Sequence, residues 1–453
     1  MISRWAGQSD RPLVAWLGDD FTGAAAVMEV LTFAGLPSIL FLAPPTPDQL
    51  AAYGARAGIG IASMARSRSP QWMHQELPAL YALLDSTAAA LIHYKICSTL
   101  DSSPHVGSIG KAIELGRRRF GEHPVPVVTA APKLRRYQAF GSLFAAAGER
   151  IHRLDRHPVM RRHPVTPMTE ADVAFHLSAQ TRIPTGCVDI EALEGNRAAE
   201  LIASASKIWT VDMMSSAHEA LVGDLLWERR QASRFVVGSQ GVEYALIRHF
   251  QETGLLEAAD PPGSLGKKDR LAIVSGSVSP TSAEQIAWAR DNGFAVIRLN
   301  AVDLCREDAQ AEMAERSATA AAKDALRAGL PPLICTAEGP DDPILEEVRA
   351  TAGVDTSRSN DLIGRALGRV LRTLIFDENL TRVAVSGGDT SGRVCETLGI
   401  FALEAAAPTI PGASICTAKA DGPMDGLEIA LKGGQMGSAD FFGWIRDGGG
   451  ARS

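Results

Sequence analysis

The chain has 453 residues, of which 46% are hydrophobic and 21% charged, with a formal net charge of -7. That length exceeds one ordinary hydrophobic core and predicts two domains, and the composition excludes a disordered chain. No long basic stripe is available to neutralise a nucleic-acid backbone, no apolar run approaches the ~20 residues of a membrane span, and Met1 to Trp5 does not open a signal peptide, so nucleic acid and membrane are excluded as partners.

Residues 13–17 read as a buried strand, residues 18–23 as a turn and residues 24–34 as a helix whose apolar positions Ala24, Val27, Met28, Leu31 and Ala34 recur at helical spacing. Gly35 and Pro37 stop it, and a strand over residues 39–42 completes a βαβ unit, which predicts two parallel strands in one sheet. The same grammar recurs at residues 91–97, 125–129, 208–211 and 235–237, the last running into Gly238-Ser239-Gln240-Gly241. Each strand delivers small or polar residues at its carboxyl end, the edge where open α/β sheets bind ligands. Composition then shifts to Pro, Gly and charge, which places a linker at residues 259–270 between an N-terminal domain (1–258) and a C-terminal domain (271–446).

In the second half, strands are expected over residues 271–274, 295–299, 333–336, 383–385 and 427–431, with an alanine-rich helix over 309–328. The fold class is therefore α/β, two domains each built on a mostly parallel sheet flanked by helices. The tail 447–453 has nothing to bury and is expected to be disordered. Six cysteines, Cys97, Cys187, Cys305, Cys335, Cys395 and Cys416, lie scattered without a CxxC pair, which fits a reducing cytoplasm.

Three glycine loops lie in the C-terminal half: Ser275-Gly276-Ser277-Val278-Ser279, Ser386-Gly387-Gly388-Asp389-Thr390-Ser391, and Lys432-Gly433-Gly434-Gln435-Met436-Gly437. One alone would be a tight turn; three with hydroxyls and a lysine suit phosphate oxygens. None matches GxxxxGK[ST], and no GxGxxG joins the first strand to its helix, which disfavours a Walker ATPase and a dinucleotide oxidoreductase.

Asp19-Asp20 stands where the first strand meets its helix. Either Asp20 caps the helix beside a solvated Asp19, or the pair accepts a substrate hydroxyl proton or holds Mg²⁺. Lys95, Ser98, Asp101, Ser102 and Ser103 crowd one turn after a buried strand; capping by Ser102 or Ser103 is the plain reading, a polyol or sugar-acid site the favoured one. Cys97 reads as a buried thiol rather than a nucleophile. The His- and Arg-rich run from Arg150 to Pro164 matches no metal-ligand spacing and reads as a surface loop.

Taken together and in order, Leu17-Gly18-Asp19-Asp20-Phe21-Thr22-Gly23-Ala24, Gly238-Ser239-Gln240-Gly241, Val274 to Pro280 with Thr281 and Gln285, and Ser386 to Thr390 with Leu431 to Gly437 resemble the four-carbon acid-sugar kinase family over nearly the whole chain. The resemblance implies an acid-sugar domain followed by an ATP domain, an active site in the cleft between them, ATP and Mg²⁺ as cofactors, and allows a homodimer. It puts nucleotide contacts on Ser275 or Ser277, Gly387, Gly388, Asp389, Thr390 and Gly434, and catalysis and substrate binding on Asp19, Asp20 and the Lys95 turn.

Tetronate-specific members share a Lys-Lys-Ile-Asp-Ser-Thr-Leu-Arg-Gly turn, from which this chain departs with Cys97 at the Asp position and Asp101 at the Arg position. Positive charge for the acid would then come from residues 133–137, with Arg136 the candidate, or from residues 153–167. This departure resembles the subgroup acting on branched acids such as 3-oxo-isoapionate. A binding protein without chemistry is the rival from another class; it would have no use for the phosphate loops.

Overall fold

The computed structural model describes residues 11–205, 207–260, 262–306, 308–352 and 356–452. The chain divides into two compact units, Met1–Asp260 and Pro261–Ser453.

In the first unit, β1 (Val14–Gly18), β2 (Ser38–Phe41), β3 (Gly58–Ala62), β4 (Leu91–Lys95) and β5 (Val125–Val128) alternate with helices. Next come β6 (Arg136–Ala139), β7 (Ser142–Ala147) and β8 (Arg150–Arg153), then β9 (Thr185–Val188), β10 (Ile208–Val211) and β11 (Phe235–Gly238). The main sheet runs β2-β3-β1-β4-β11-β5-β10-β9 with every pairing parallel. Both β1 and β4 are buried at all positions, as expected of strands covered on two faces. Strands β6, β7 and β8 form a separate antiparallel sheet, so the first stretch of the His- and Arg-rich run is a strand rather than a loop.

The first helix spans Phe21–Phe33, three residues earlier than its apolar spacing suggests, because the Asp20 side chain caps it by accepting the Gly23 N–H.

The second unit contains β12 (Ala272–Ser275), β13 (Ala295–Arg298), β14 (Pro332–Cys335), β15 (Arg382–Ser386), β16 (Ile400–Ala407), β17 (Ile415–Ala420) and β18 (Glu428–Lys432). Their order is β13-β14-β12-β15-β18-β17-β16, parallel from β13 to β18 and antiparallel beyond.

The expected disordered tail is instead fixed through residue 452. The Leu265 N–H donates to Gly448 O (2.9 Å), Gly450 N–H to Pro408 O (2.8 Å), and Arg452 lies 4.0 Å over the Trp444 ring. Gly448, Gly449 and Gly450 all have positive φ, so this segment is held by its backbone, which a search for apolar side chains cannot detect.

Candidate functional site

In the first unit, the connection from β1 goes to β2 and β3 on one side, whereas β4 lies on the other, so strand order reverses at β1. Gly18 is in register with Lys95, and Lys95 with Gly238. Three strand ends therefore stop on one level and release Asp19, Ile96 and Ser239 at the same edge.

Asp19 is buried there, not solvated. Arg66 donates to both its oxygens, Nη2 to Oδ1 at 2.6 Å and Nε to Oδ2 at 3.1 Å, and the same Nη2 lies 2.7 Å from Asp20 Oδ1. Burial pushes the Asp19 carboxyl up; Arg66 opposes the rise and Asp20 adds to it. Asp20 Oδ1 is used twice, by Arg66 and by the helix cap, while among the described residues Oδ2 receives no hydrogen bond. The buried Lys95 Nζ donates to Ile96 O at 2.8 Å, and a Cβ on Gly23 would stand 2.9 Å from it, so the ammonium sits against the first turn of the helix.

The turn after β4 sorts its own residues. Ser102 Oγ is held by Leu100 O (3.0 Å), His176 Nε2 (2.9 Å) and Gln180 Nε2 (2.9 Å), and Ser103 Oγ accepts the N–H groups of His105 and Val106. Both hydroxyls brace the turn, and neither caps the helix Ile109–Phe120: Ser108 does. Cys97 and Ser98 are half-buried, and Ser98 makes no side-chain hydrogen bond among the described residues. Burial, then Asp101, push the Cys97 thiol up, which keeps it neutral and a poor nucleophile. Asp101 Oδ1 accepts from Thr99 Oγ1 at 3.4 Å.

Arg66, which joins the two carboxylates, carried no signal in the sequence: it follows β3, a strand of glycine and isoleucine, inside what looks like a basic surface loop. Asp212 was likewise visible only as a strand end. Its buried carboxylate accepts Gln138 Nε2 (3.1 Å), the Gly141 N–H (3.0 Å) and the Phe140 N–H, and so fixes the β6–β7 hairpin that carries Arg136.

The second unit repeats the reversal at β12, which leads to β13 and β14 on one side with β15 on the other. Ser275 is in register with Ser386, and Ser386 with Lys432, so the three glycine loops leave the sheet side by side. Ser277 and Ser282 Oγ stand 2.9 Å apart, Ser282 Oγ is 3.3 Å from Ser386 Oγ, and Ser279 Oγ donates to Gly434 O at 2.6 Å. Close approach explains two of the glycines: a Cβ on Gly276 would meet Thr390 Oγ1 at 2.4 Å, and one on Gly434 would meet Ser277 Oγ at 2.4 Å.

Gly387, at φ 119, precedes the helix Gly388–Leu398, which no side chain caps among the described residues. Its first N–H groups thus face an open edge where Gly388 and Asp389 are exposed. Lys432, nearly fully buried, donates to Gly433 O (3.1 Å) and Gly434 O (3.4 Å), and burial lowers its ammonium to about 8. Ser275 Oγ is buried with no hydrogen-bond partner among the described residues. Uncapped amides, a buried ammonium and an orphaned hydroxyl suit an anion with several acceptor oxygens.

One α/β unit that presents paired carboxylates beside a lysine, and another that presents a phosphate cradle, define the class as a small-molecule phosphotransferase. A family model described as a sugar-binding N-terminal domain matches residues 14–246, and one described as a nucleotide-binding C-terminal domain matches residues 272–442. The 3-oxo-isoapionate kinase of Paraburkholderia graminis is 44% identical over 448 residues, 96% of this chain and 94% of that one. The 3-oxo-tetronate kinase of Pseudomonas savastanoi pv. phaseolicola is 29% identical over 439 residues, 95% and 96% of the two chains.

Among solved structures, a Salmonella typhimurium LT2 protein described as a tRNA synthase shares the fold at TM-score 0.76 and 22% identity, covering 96% of this chain and 98% of that one. A Haemophilus influenzae protein does so at 0.71 and 21%, covering 95% and 99%. At those identities the likeness shows the fold alone. The chain belongs to the four-carbon acid-sugar kinase family, ATP-dependent phosphotransferases with an alcohol group as acceptor.

Proposed function

We propose that this kinase phosphorylates a hydroxyl of a branched 3-oxo acid sugar of the 3-oxo-isoapionate type. The observation that carries the substrate is the 44% identity to the Paraburkholderia graminis 3-oxo-isoapionate kinase, against 29% to the Pseudomonas savastanoi 3-oxo-tetronate kinase. No disulfide joins cysteines among the described residues, which suits work in a reducing cytoplasm.

The first unit binds the acid sugar. Asp20, whose Oδ2 is open, takes the proton of the attacking hydroxyl; Asp19 holds Arg66 in place; Lys95 and Ser98 donate to acceptor oxygens. The second unit binds the nucleotide through Ser275, Ser277, the amides at Gly387, Gly388 and Thr390, the loop at Gly434, and Lys432, whose ammonium faces the phosphate oxygens. Mg²⁺, when bound with the nucleotide, supplies neutralisation of the phosphate charge. Asp389 fits it, being exposed and bonded among the described residues only to Asn360, at 3.4 Å.

The test is ADP release with a panel of branched and linear 3-oxo acids and tetronates. A kcat/KM for 3-oxo-isoapionate at least roughly tenfold above that for 3-oxo-tetronate is expected, since one misplaced group costs that much or more. A tetronate preferred over every branched acid overturns the substrate, and no turnover with any acid overturns the kinase.

A further inference from the structure

We infer that Arg136, carried on the β6–β7 hairpin at the sheet edge that releases Asp19 and Ile96, is the specificity residue that binds the carboxylate of the acceptor, an inference that rests on the acid-sugar kinase reading above.

Three arginines of the first unit meet carboxylates, Arg66 with Asp19 and Asp20, Arg117 with Glu122 at 2.8 Å, and Arg234 with Asp85, whereas the half-buried Arg135, Arg229 and Arg230 donate to carbonyls away from the sheet edge that releases Asp19. Arg136 is half-buried and meets none among the described residues. Among the described residues its Nη1 reaches only carbonyls, of Leu134 (3.2 Å), Arg135 (3.3 Å) and Ala146 (3.4 Å), while Nε is buried and receives no partner. A guanidinium taken from water without a counter-ion is costly, and a fork left with open donors is the geometry that receives a carboxylate. Burial accordingly lowers its pKa.

The neighbouring cations are already committed. Lys133 Nζ lies 4.9 Å over the Tyr244 ring, and Arg135 donates to the carbonyls of Gly148 and Glu149, both at 2.8 Å. The Arg136 backbone pairs with Ala131, just past β5, whose end is level with those of β11 and β4, so Arg136 starts at the edge that releases Asp19 and Ile96, and Cys97 there lies within electrostatic range of Arg136, Arg66 and Lys95. The thiol, two residues past β4, therefore shares this edge with the Asp19, Asp20, Arg66 and Lys95 group. Because it stays protonated, it neutralises none of these cations, and with the unbonded Ser98 hydroxyl it offers a small neutral surface over which an acid can lie. A carboxylate side chain at position 97 would occupy Arg136 from within.

The full-length enzyme tests this with the best acid of the panel, compared with the neutral carboxamide of the same skeleton. Arg136→Gln should raise the acid KM roughly 100-fold with kcat and ATP KM within a few-fold, and erase the preference for acid over amide. Arg136→Lys should recover part of the loss. Cys97→Asp should raise the acid KM as Arg136→Gln does, whereas Cys97→Ser should leave it near wild type.

An unchanged acid KM in either Arg136→Gln or Cys97→Asp overturns the inference. Should Arg136→Gln fail to fold, Arg136→Lys and Cys97→Asp carry the same reading. If the wild type turns over no acid, the kinase reading fails separately, and the inference is then judged by binding: the acid should raise the unfolding midpoint of the wild type and not of Cys97→Asp, and equal shifts overturn it.

Discussion

Asp20 and Asp19 are adjacent and do different work, which two substitutions separate. Asparagine caps a helix as well as aspartate, so Asp20→Asn keeps the Gly23 hydrogen bond and should fold normally while turnover falls roughly 10²-fold to 10⁴-fold, the range for loss of a general base. Asp19→Asn removes the bidentate partner of Arg66, and the measured loss should include about 3 kcal/mol of stability in chemical denaturation. Full activity in Asp20→Asn places the base elsewhere. Lys432 gives the pH dependence. Its folded pKa is depressed to about 8, whereas the unfolded chain keeps the proton to about 10.4. Between those values the unfolded state binds more protons, so this residue makes the second unit more stable as pH rises. Nucleotide affinity runs the other way, because phosphate oxygens need the ammonium: ATP KM should climb as pH passes about 8, and the always-charged Lys432→Arg should flatten that climb. A wild-type ATP KM constant from pH 7 to 9 removes Lys432 from the phosphate site.

At the scale of elements, the glycine loops mix two kinds of glycine. A Cβ on Gly388 meets nothing within 4 Å, so Gly388→Val should leave the unfolding midpoint unchanged while weakening nucleotide binding at least tenfold by obstructing only the incoming phosphate. Gly276→Ala drives its Cβ against Thr390 and should cost roughly 1–3 kcal/mol of stability before any ligand is added. Equal effects of the two on stability would show that both serve packing. The parallel strands and the three loops were legible because a buried strand ending in small polar residues is a local pattern. The antiparallel pair β16 and β17 was not, since Ile400–Ala407, although bounded by Gly399 and Pro408, is alanine-rich and lacks the β-branched enrichment that marks a strand. Arg66 and Asp212 were hidden for another reason: each acts on residues dozens of positions away, and only strand order brings them together.

At the scale of the whole molecule, each unit has its own buried core, one centred on Leu17, Tyr81, Tyr94 and Phe235, the other on Ile273, Leu333, Phe441 and Phe442. Each also has its own reversal of strand order, at β1 and at β12. Separate cores favour separate unfolding, and a ligand stabilises only the unit it binds, by about 2.7 kcal/mol at a hundred times its dissociation constant. A non-hydrolysable ATP analogue should therefore slow amide exchange at residues 275–279, 387–391 and 432–437, and raise the unfolding midpoint of Pro261–Ser453 alone. The acid sugar should instead protect residues 18–23, 63–68, 95–99 and 136–141, where Asp212 holds the hairpin against the sheet edge and exchange reports on Arg136 through its own strand. The two patterns are separable because no residue of either set belongs to the other core. Acid-induced protection confined to residues 387–391 would exchange the roles of the two sheet edges, and with them the assignment of Asp20 as the base.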